Sequence, residues 1–222
     1  LKKFSNIFNK SFSKKHLLIF GINTQDSSSN EFYNSFIVSN NNLEILYQYD
    51  KKKLVPFGEF IPFNDFFEKF GLKKITHGYG SFSKGNKQKN FILNDLNILP
   101  LICYEIIFPH LTQLSDKRTN MIVNISEDAW FGNSIGPHQH FTKAIFRSIE
   151  NNTYLVRSAN KGISAFINNN GKTIKRLEPN EAGSIELNVP LINNDFKNKN
   201  DLIFFVLLFT YLFIFLIFRN KN

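Results

Sequence analysis

One cysteine, one methionine and one tryptophan are all that 222 residues contain of those types. A single thiol, Cys103, excludes an intramolecular disulfide framework and any zinc site built from clustered cysteines. It is either a small buried hydrophobe or a nucleophile. Glycine and proline are also sparse, at 11 and 7, and 42% of the chain is apolar against 20% charged. That composition excludes collagen-like and wholly disordered chains and fits about one large domain. Acidic residues are outnumbered, 18 against 27 basic, for a net charge of +9. The lysines stand in scattered groups (Lys2–Lys3, Lys14–Lys15, Lys51–Lys53, Lys73–Lys74) with no arginine-rich stripe. Zinc-finger spacing, an aromatic–glycine RNA signature and a helix-turn-helix pattern are all missing, so no nucleic-acid partner is expected. Anionic lipid headgroups suit the charge better. Phenylalanine, by contrast, supplies 26 residues, and the bias toward Phe, Ile, Asn, Lys and Tyr suggests an AT-rich genome. The chain starts at Leu1 without an initiator methionine, and is expected to be part of a longer protein.

The one long apolar run is Leu202–Phe218, LIFFVLLFTYLFIFLIF. It carries no charge, Gly or Pro, and as a helix it would extend roughly 25 Å, near the lower limit for crossing a bilayer core. Apolarity on every face and polar flanks argue for a membrane span over a core helix. Lys197 and Lys199 precede it and Arg219 and Lys221 follow, so the positive-inside count is tied. The expected organisation is a mixed α/β domain over 1–192, a polar linker over 193–201, a transmembrane helix over 202–218 and a tail over 219–222.

Within the domain, Leu17–Asn23, Phe36–Ser39, Leu43–Tyr49, Asn97–Ile102, Met121–Ile125, Tyr154–Ser158, Ile163–Asn168 and Lys172–Leu177 read as strands. Asn169-Asn170-Gly171 supplies a hairpin turn. His110–Leu114 is expected on a helix, and the spacing of Phe141, Ala144, Ile145 and Ile149 predicts another over His140–Glu150. The polar stretch Lys84–Asn90 is expected as an exposed loop.

Three segments have the make-up of chemistry. Cys103 ends an apolar strand in LPLICYEIIFP, and a tight turn there would present the thiol at the sheet edge beside a helix's first amides. Tyr104 and Glu105 follow where a core run would otherwise continue. In DKKKLVPFGEFIP, Pro56, Gly58 and Pro62 force irregular backbone; Glu59 is either a solvated turn carboxylate or is aimed inward. Ser126–His140, SEDAWFGNSIGPHQH, follows a buried strand with the only Trp, a usual place for a binding loop. His138 and His140 lack matched acidic partners, so no metal or other cofactor is expected.

In order and spacing, LVPFGEFIP after Tyr49-Asp50-Lys51, then ICYEIIFP, NISEDAWFGNSIGPHQHF and LVRSANKGISA, resemble the carbon–nitrogen hydrolase (nitrilase) superfamily, and specifically its apolipoprotein N-acyltransferase branch. The resemblance covers nearly all of 17–190. It implies an α/β nitrilase-like α-β-β-α sandwich, incomplete at its N-terminus, closed by one C-terminal transmembrane helix. It also implies a Glu–Lys–Cys site without metal. Cys103 matches the nucleophile that takes an acyl chain from a phospholipid as a thioester and passes it to the N-terminal diacylglyceryl cysteine of an apolipoprotein. Lys51 matches the catalytic lysine and Glu59 a second active-site carboxylate. Tyr104 and Glu105 match substrate-site residues beside the nucleophile, and Trp130 a pocket wall. The implied location is the bacterial inner membrane, with the catalytic domain on the periplasmic side.

Two departures stand out. The family's general-base glutamate precedes its lysine in a motif that neither Glu31 nor Glu44 matches, and Leu17–Asn23 resembles the strand after that motif. The base is therefore expected upstream of Leu1, leaving these residues inactive alone. Glu127 stands where the family more often has Asn. The alternatives to the acyltransferase are a membrane-tethered amidase or nitrilase, and a non-catalytic membrane-bound remnant.

Overall fold

The structure, a computed structural model, describes residues 4–62, 81–86, 88–112, 119–192 and 200–219. Among the described residues nine strands form two sheets. The smaller is an antiparallel meander of β1 (Leu18–Asp26), β2 (Glu31–Ser39) and β3 (Ile45–Asp50). The larger has six strands in sequence order: β4 (Phe91–Leu93), β5 (Leu96–Ile102), β6 (Met121–Glu127), β7 (Tyr154–Asn160), β8 (Ser164–Ile167) and β9 (Thr173–Leu177). Its centre, β5-β6-β7, is parallel, and both edges are antiparallel hairpins. The helices are α1 (Ser5–Ser11), α2 (Pro109–Thr112), α3 (Gly136–Glu150) and α4 (Asn200–Arg219).

Alternation along the central strands sorts the core into two layers, because successive side chains point to opposite faces. Ile98 and Ile102 of β5 and Val123 of β6 pack with Phe36, Val38 and Tyr49 of the small sheet, so the two sheets are stacked face to face. Leu99, Leu101, Ile122 and Leu155 point the other way, onto Ile106, Leu111, Phe141 and Ala144. Helices therefore cover the far side of the large sheet. A buried aliphatic or aromatic side chain contributes about 1.5–3 kcal/mol, and these two layers fix where the C-terminal ends of β5, β6 and β7 emerge.

Several elements extend past their sequence-based bounds. β2 starts at Glu31, five residues before the apolar run, held in register with β1 from Asp26↔Glu31 onward. Leu43 is not a strand residue: it takes φ 61° in the turn before β3. α3 begins at Gly136, inside the segment read as loop, since Pro137 suits a helix's first turn. The short β4 carried no periodic signal. The described residues of 84–90 are irregular as expected, yet not simply solvent-facing: Gly85 is buried and donates its N–H to the Lys51 carbonyl at 2.9 Å. Only part of His110–Leu114 is described, as α2, and residues 113–114 lie outside the described residues. Of the linker expected over 193–201, residues 193–199 also lie outside the described residues, and 200–201 are the first two residues of α4. Leu202–Arg219 is long and apolar enough to cross a membrane, and none of it is buried.

Candidate active site

Cys103 stands where β5 ends and a 3-10 turn, Cys103–Ile107, begins. Its φ of 48° is left-handed, a region that costs a non-glycine residue roughly 1–2 kcal/mol. A strained strand-to-helix corner of this kind lifts the side chain out of the sheet, and here the thiol points at the Glu127 carbonyl oxygen, 3.9 Å away at the end of β6. Both residues line a cleft of about 1040 Å³, with Lys51, Glu59, Tyr104 and Trp130 also in its wall. Trp130 is 57% exposed, and Phe131 and Ile135 beside it are exposed too, so the rim on this side is apolar.

Lys51 follows directly on β3 and is 1% exposed. Its backbone is fixed on both sides: its N–H donates to the Asn34 carbonyl at 2.8 Å, and its carbonyl accepts from Gly85. A Cβ on Gly85 would lie 2.0 Å from the Asp50 carbonyl oxygen, so only glycine fits there. The Lys51 ammonium is 2.9 and 2.8 Å from Glu59 Oε1 and Oε2. Glu59 is buried on the Pro56–Phe60 loop, whose sharp course includes Phe57 at φ 60°. It also accepts from Asn34 Nδ2 at 2.9 Å and the Val55 N–H at 2.8 Å. The inward alternative for Glu59 is the one realised. Such a pair, removed from water, is stable only with its remaining lone pairs satisfied, and Asn34 and Val55 do that. Asn34 gave no sequence signal, lying inside an ordinary strand pattern.

Glu105 is placed differently from its neighbour Tyr104. It is fully buried and is no part of the cleft wall, so the expectation of a substrate contact is not met for this residue. Its Oε1 accepts from Tyr49 Oη at 2.6 Å and from the N–H groups of Lys52 and Lys53 at 2.7 and 3.0 Å. Its Oε2 accepts from the Ile102 N–H at 2.9 Å. Burial pushes this carboxyl above its usual range, while the four donors favour the charged form. Glu105 thus ties the lysine segment to the residue before the nucleophile.

Behind the turn lies a second polar cluster, which sequence reasoning missed. His140 of α3 hydrogen-bonds Asp128 Oδ1 through Nδ1 at 2.9 Å and the Cys103 carbonyl through Nε2 at 3.2 Å. Arg157 Nη2 donates to Asp128 Oδ2 at 2.7 Å. Burial alone would raise the Asp128 carboxyl, but the His140 hydrogen bond and the Arg157 guanidinium outweigh it and hold it at about 2. His138, two residues earlier, is exposed, as a residue about 200° around the helix should be. Among the described residues no group of three or more His, Cys, Asp or Glu could hold a metal ion. Glu127 lines the cleft, its carboxylate held by the Ala129 N–H at 3.0 Å and Asn160 Nδ2 at 2.6 Å.

Comparison with known proteins matches residues 9–192 to the carbon–nitrogen hydrolase family. A Rickettsia typhi protein named apolipoprotein N-acyltransferase is 38% identical over 191 residues, covering 82% of this chain and 38% of the relative. One of the same name from Rhizobium leguminosarum bv. trifolii is 42% identical over 159 residues, covering 71% and 30%. The chain thus spans about a third of the length of these relatives. Among solved structures, Saccharomyces cerevisiae Nit3, of branch 10 of the nitrilase superfamily, superposes with a TM-score of 0.60 at 22% identity, over 81% of this chain and 60% of Nit3. An amidase from Nesterenkonia sp. gives 0.57 at 14%, over 80% and 61%.

Proposed function

The chain belongs to the carbon–nitrogen hydrolase family, and from that premise we propose that it is the thiol-bearing part of an N-acyltransferase. In this reading Cys103 takes a fatty acyl chain from a phospholipid and passes it to the N-terminal diacylglyceryl cysteine of an apolipoprotein. The observation that carries it is the left-handed corner that turns the lone thiol into a cleft shared with the buried Lys51–Glu59 pair. The names of the curated relatives favour a transferase over an amidase.

The chemistry has two steps. The Cys103 sulfur attacks the phospholipid ester carbonyl; an S–C bond forms, the C–O bond breaks and the leaving alkoxide takes a proton. The acceptor's α-amine then attacks the thioester; an N–C bond forms, the S–C bond breaks and the amine's proton is removed. Lys51 stabilises the oxyanion in both steps, and a neighbouring ammonium also favours the thiolate, since an ordinary thiol is only a few per cent ionised near pH 7. The Tyr104 N–H, in the first turn after the nucleophile where helical amides lack an internal acceptor, is the second oxyanion donor. Tyr104 and Trp130 shape the wall against the acyl chain.

Proton removal and return are worth roughly 10²–10⁴-fold in rate. The only carboxylates in the described cleft wall are Glu59 and Glu127, and both are occupied by the contacts above. On the family resemblance, which puts the base in a motif that these residues do not match, residues 1–222 alone are proposed not to turn over, the base coming from a carboxylate outside them. The helix Leu202–Arg219 anchors the domain in the bacterial inner membrane with the cleft on the periplasmic side, and the exposed Trp130, Phe131 and Ile135 face lipid. The test is a chimera that places the N-terminal part of the Rickettsia typhi relative before this chain. Given labelled phospholipid, it should form a hydroxylamine-sensitive adduct that Cys103→Ala abolishes. Turnover of a diacylglyceryl-cysteine peptide by residues 1–222 alone would refute the missing-base proposal.

A further inference from the structure

The cluster behind the nucleophile is more elaborate than packing requires. Asp128, His140 and Arg157 are 1%, 6% and 2% exposed, and they bring a buried anion and a buried guanidinium to the face of the sheet that otherwise holds Leu101, Ile122 and Leu155. Buried ion pairs stabilise no better than well-packed apolar residues of similar volume, so a fold needing only cohesion here gains nothing from them. What the cluster supplies is orientation at one atom. Asp128 is immobilised: Ser126 Oγ donates to its Oδ1 at 2.6 Å, Arg157 to its Oδ2. A Cβ on Gly162 would sit 2.2 Å from that same Oδ2. Arg157 is held in turn by Asn124 through Nη1. The imidazole between them has one remaining degree of freedom, the direction of Nε2, and that nitrogen meets the Cys103 carbonyl.

We propose that His140, clamped by Asp128 and Arg157, is a positioning residue that holds the peptide carbonyl of Cys103 and so maintains the left-handed corner that presents the thiol. The inference rests on the reading of Cys103 as nucleophile and adds the device that keeps it aimed. A carbonyl only accepts, so Nε2 carries a proton in this arrangement. A trans peptide has its C=O and N–H opposed, and fixing the Cys103 carbonyl toward His140 therefore fixes the Tyr104 N–H away from it. An unfavourable φ persists only where its surroundings over-determine it. Here the constraints come from two sides: Glu105 on the Ile102 N–H before the corner, and His140 on the Cys103 carbonyl after it.

Two substitutions separate the ends of the imidazole. Gln places its amide nitrogen near the position of Nε2 and keeps a donor for the Cys103 carbonyl. Asn reaches only as far as Nδ1 and keeps the Asp128 contact alone. Because Cys103 is the only thiol, iodoacetamide labelling of the full chain in mild detergent reports on it without any acyl donor. His140→Gln should label within about threefold of the unmodified chain and His140→Asn about tenfold or more slowly, since alkylation follows the exposure and ionisation of the thiol, and both change when the corner no longer presents it to the cleft beside the Lys51 ammonium. An Asn variant that labels at the unmodified rate, or a Gln variant as slow as the Asn one, overturns the proposal. Ring ¹⁵N shifts in the unmodified chain give a second reading that needs no variant. Nε2 must carry a proton, and a ring protonated at Nδ1 alone overturns the proposal equally. If labelling follows this pattern while the chimera forms no thioester, the acyl-transfer reading fails and the positioning role stands.

Discussion

Replacing Glu105 separates the two halves of the site without touching the cleft wall. In Glu105→Gln the side-chain oxygen keeps the three donors now on Oε1, but the amide NH₂ is turned toward the Ile102 N–H, donor against donor. One buried donor left unpaired costs about 1–3 kcal/mol, and the other three bonds lose their charge assistance, worth a further fraction of a kcal/mol each. The expected loss is about 2–4 kcal/mol out of the roughly 5–15 kcal/mol of a typical domain. Glu105→Ala strands all four donors and is expected to leave the domain unfolded or nearly so. Urea unfolding in detergent, followed through the single tryptophan Trp130, gives the stability change, and Cys103 alkylation in the same samples shows whether the corner has moved. A Glu105→Ala variant within about 0.5 kcal/mol of the unmodified chain would refute the reasoning that four buried donors converge on this carboxylate.

Asp128 gives a pH signature. Its carboxyl is held at about 2 in the fold against an ordinary 3.8, so its contribution is present above about pH 4 and is lost as pH falls from there toward 2. The amount is about 2 kcal/mol, and Asp128→Asn should remove that component of an acid-unfolding curve. Gly85→Ala forces a Cβ into the Asp50 backbone and displaces the Lys51 segment; a loss of about 1–3 kcal/mol in urea unfolding is expected, and a neutral result would mean that the irregular 82–86 segment does not buttress Lys51. In membranes, the chain should resist carbonate extraction through Leu202–Arg219, and deleting 200–219 should release it.

Much of the site was legible because its residues are local to recognisable corners. Cys103 was marked, as buried filler or nucleophile, by an apolar strand interrupted by polar residues, and Glu59, as a solvated or an inward carboxylate, by a loop that two prolines and a glycine make irregular; the family resemblance chose between those alternatives. The Lys51 and Cys103 segments were linked by family resemblance alone, since no periodicity brings residues 52 positions apart together. What stayed hidden depends on tertiary distance. Asp128, His140 and Arg157 come from a loop, a helix and a strand, and His140 reads from its own segment as one of two nearby histidines. Asn34 and Gly85 are ordinary residues whose importance is that their neighbours are Glu59 and Lys51. Glu105 and Tyr104 are adjacent in sequence and opposite in role, because the 3-10 turn sends one side chain into the core and the other to the cleft.

The most direct test of the central claim is mass spectrometry of the chimera after incubation with a phospholipid of defined acyl chains. One acyl group of the donor's mass is expected on the peptide containing Cys103, removed by hydroxylamine and transferred when a diacylglyceryl-cysteine peptide is added. Acyl mass persisting in the Cys103→Ala protein, or an unmodified Cys103 in a chimera that nonetheless N-acylates the peptide, would contradict it.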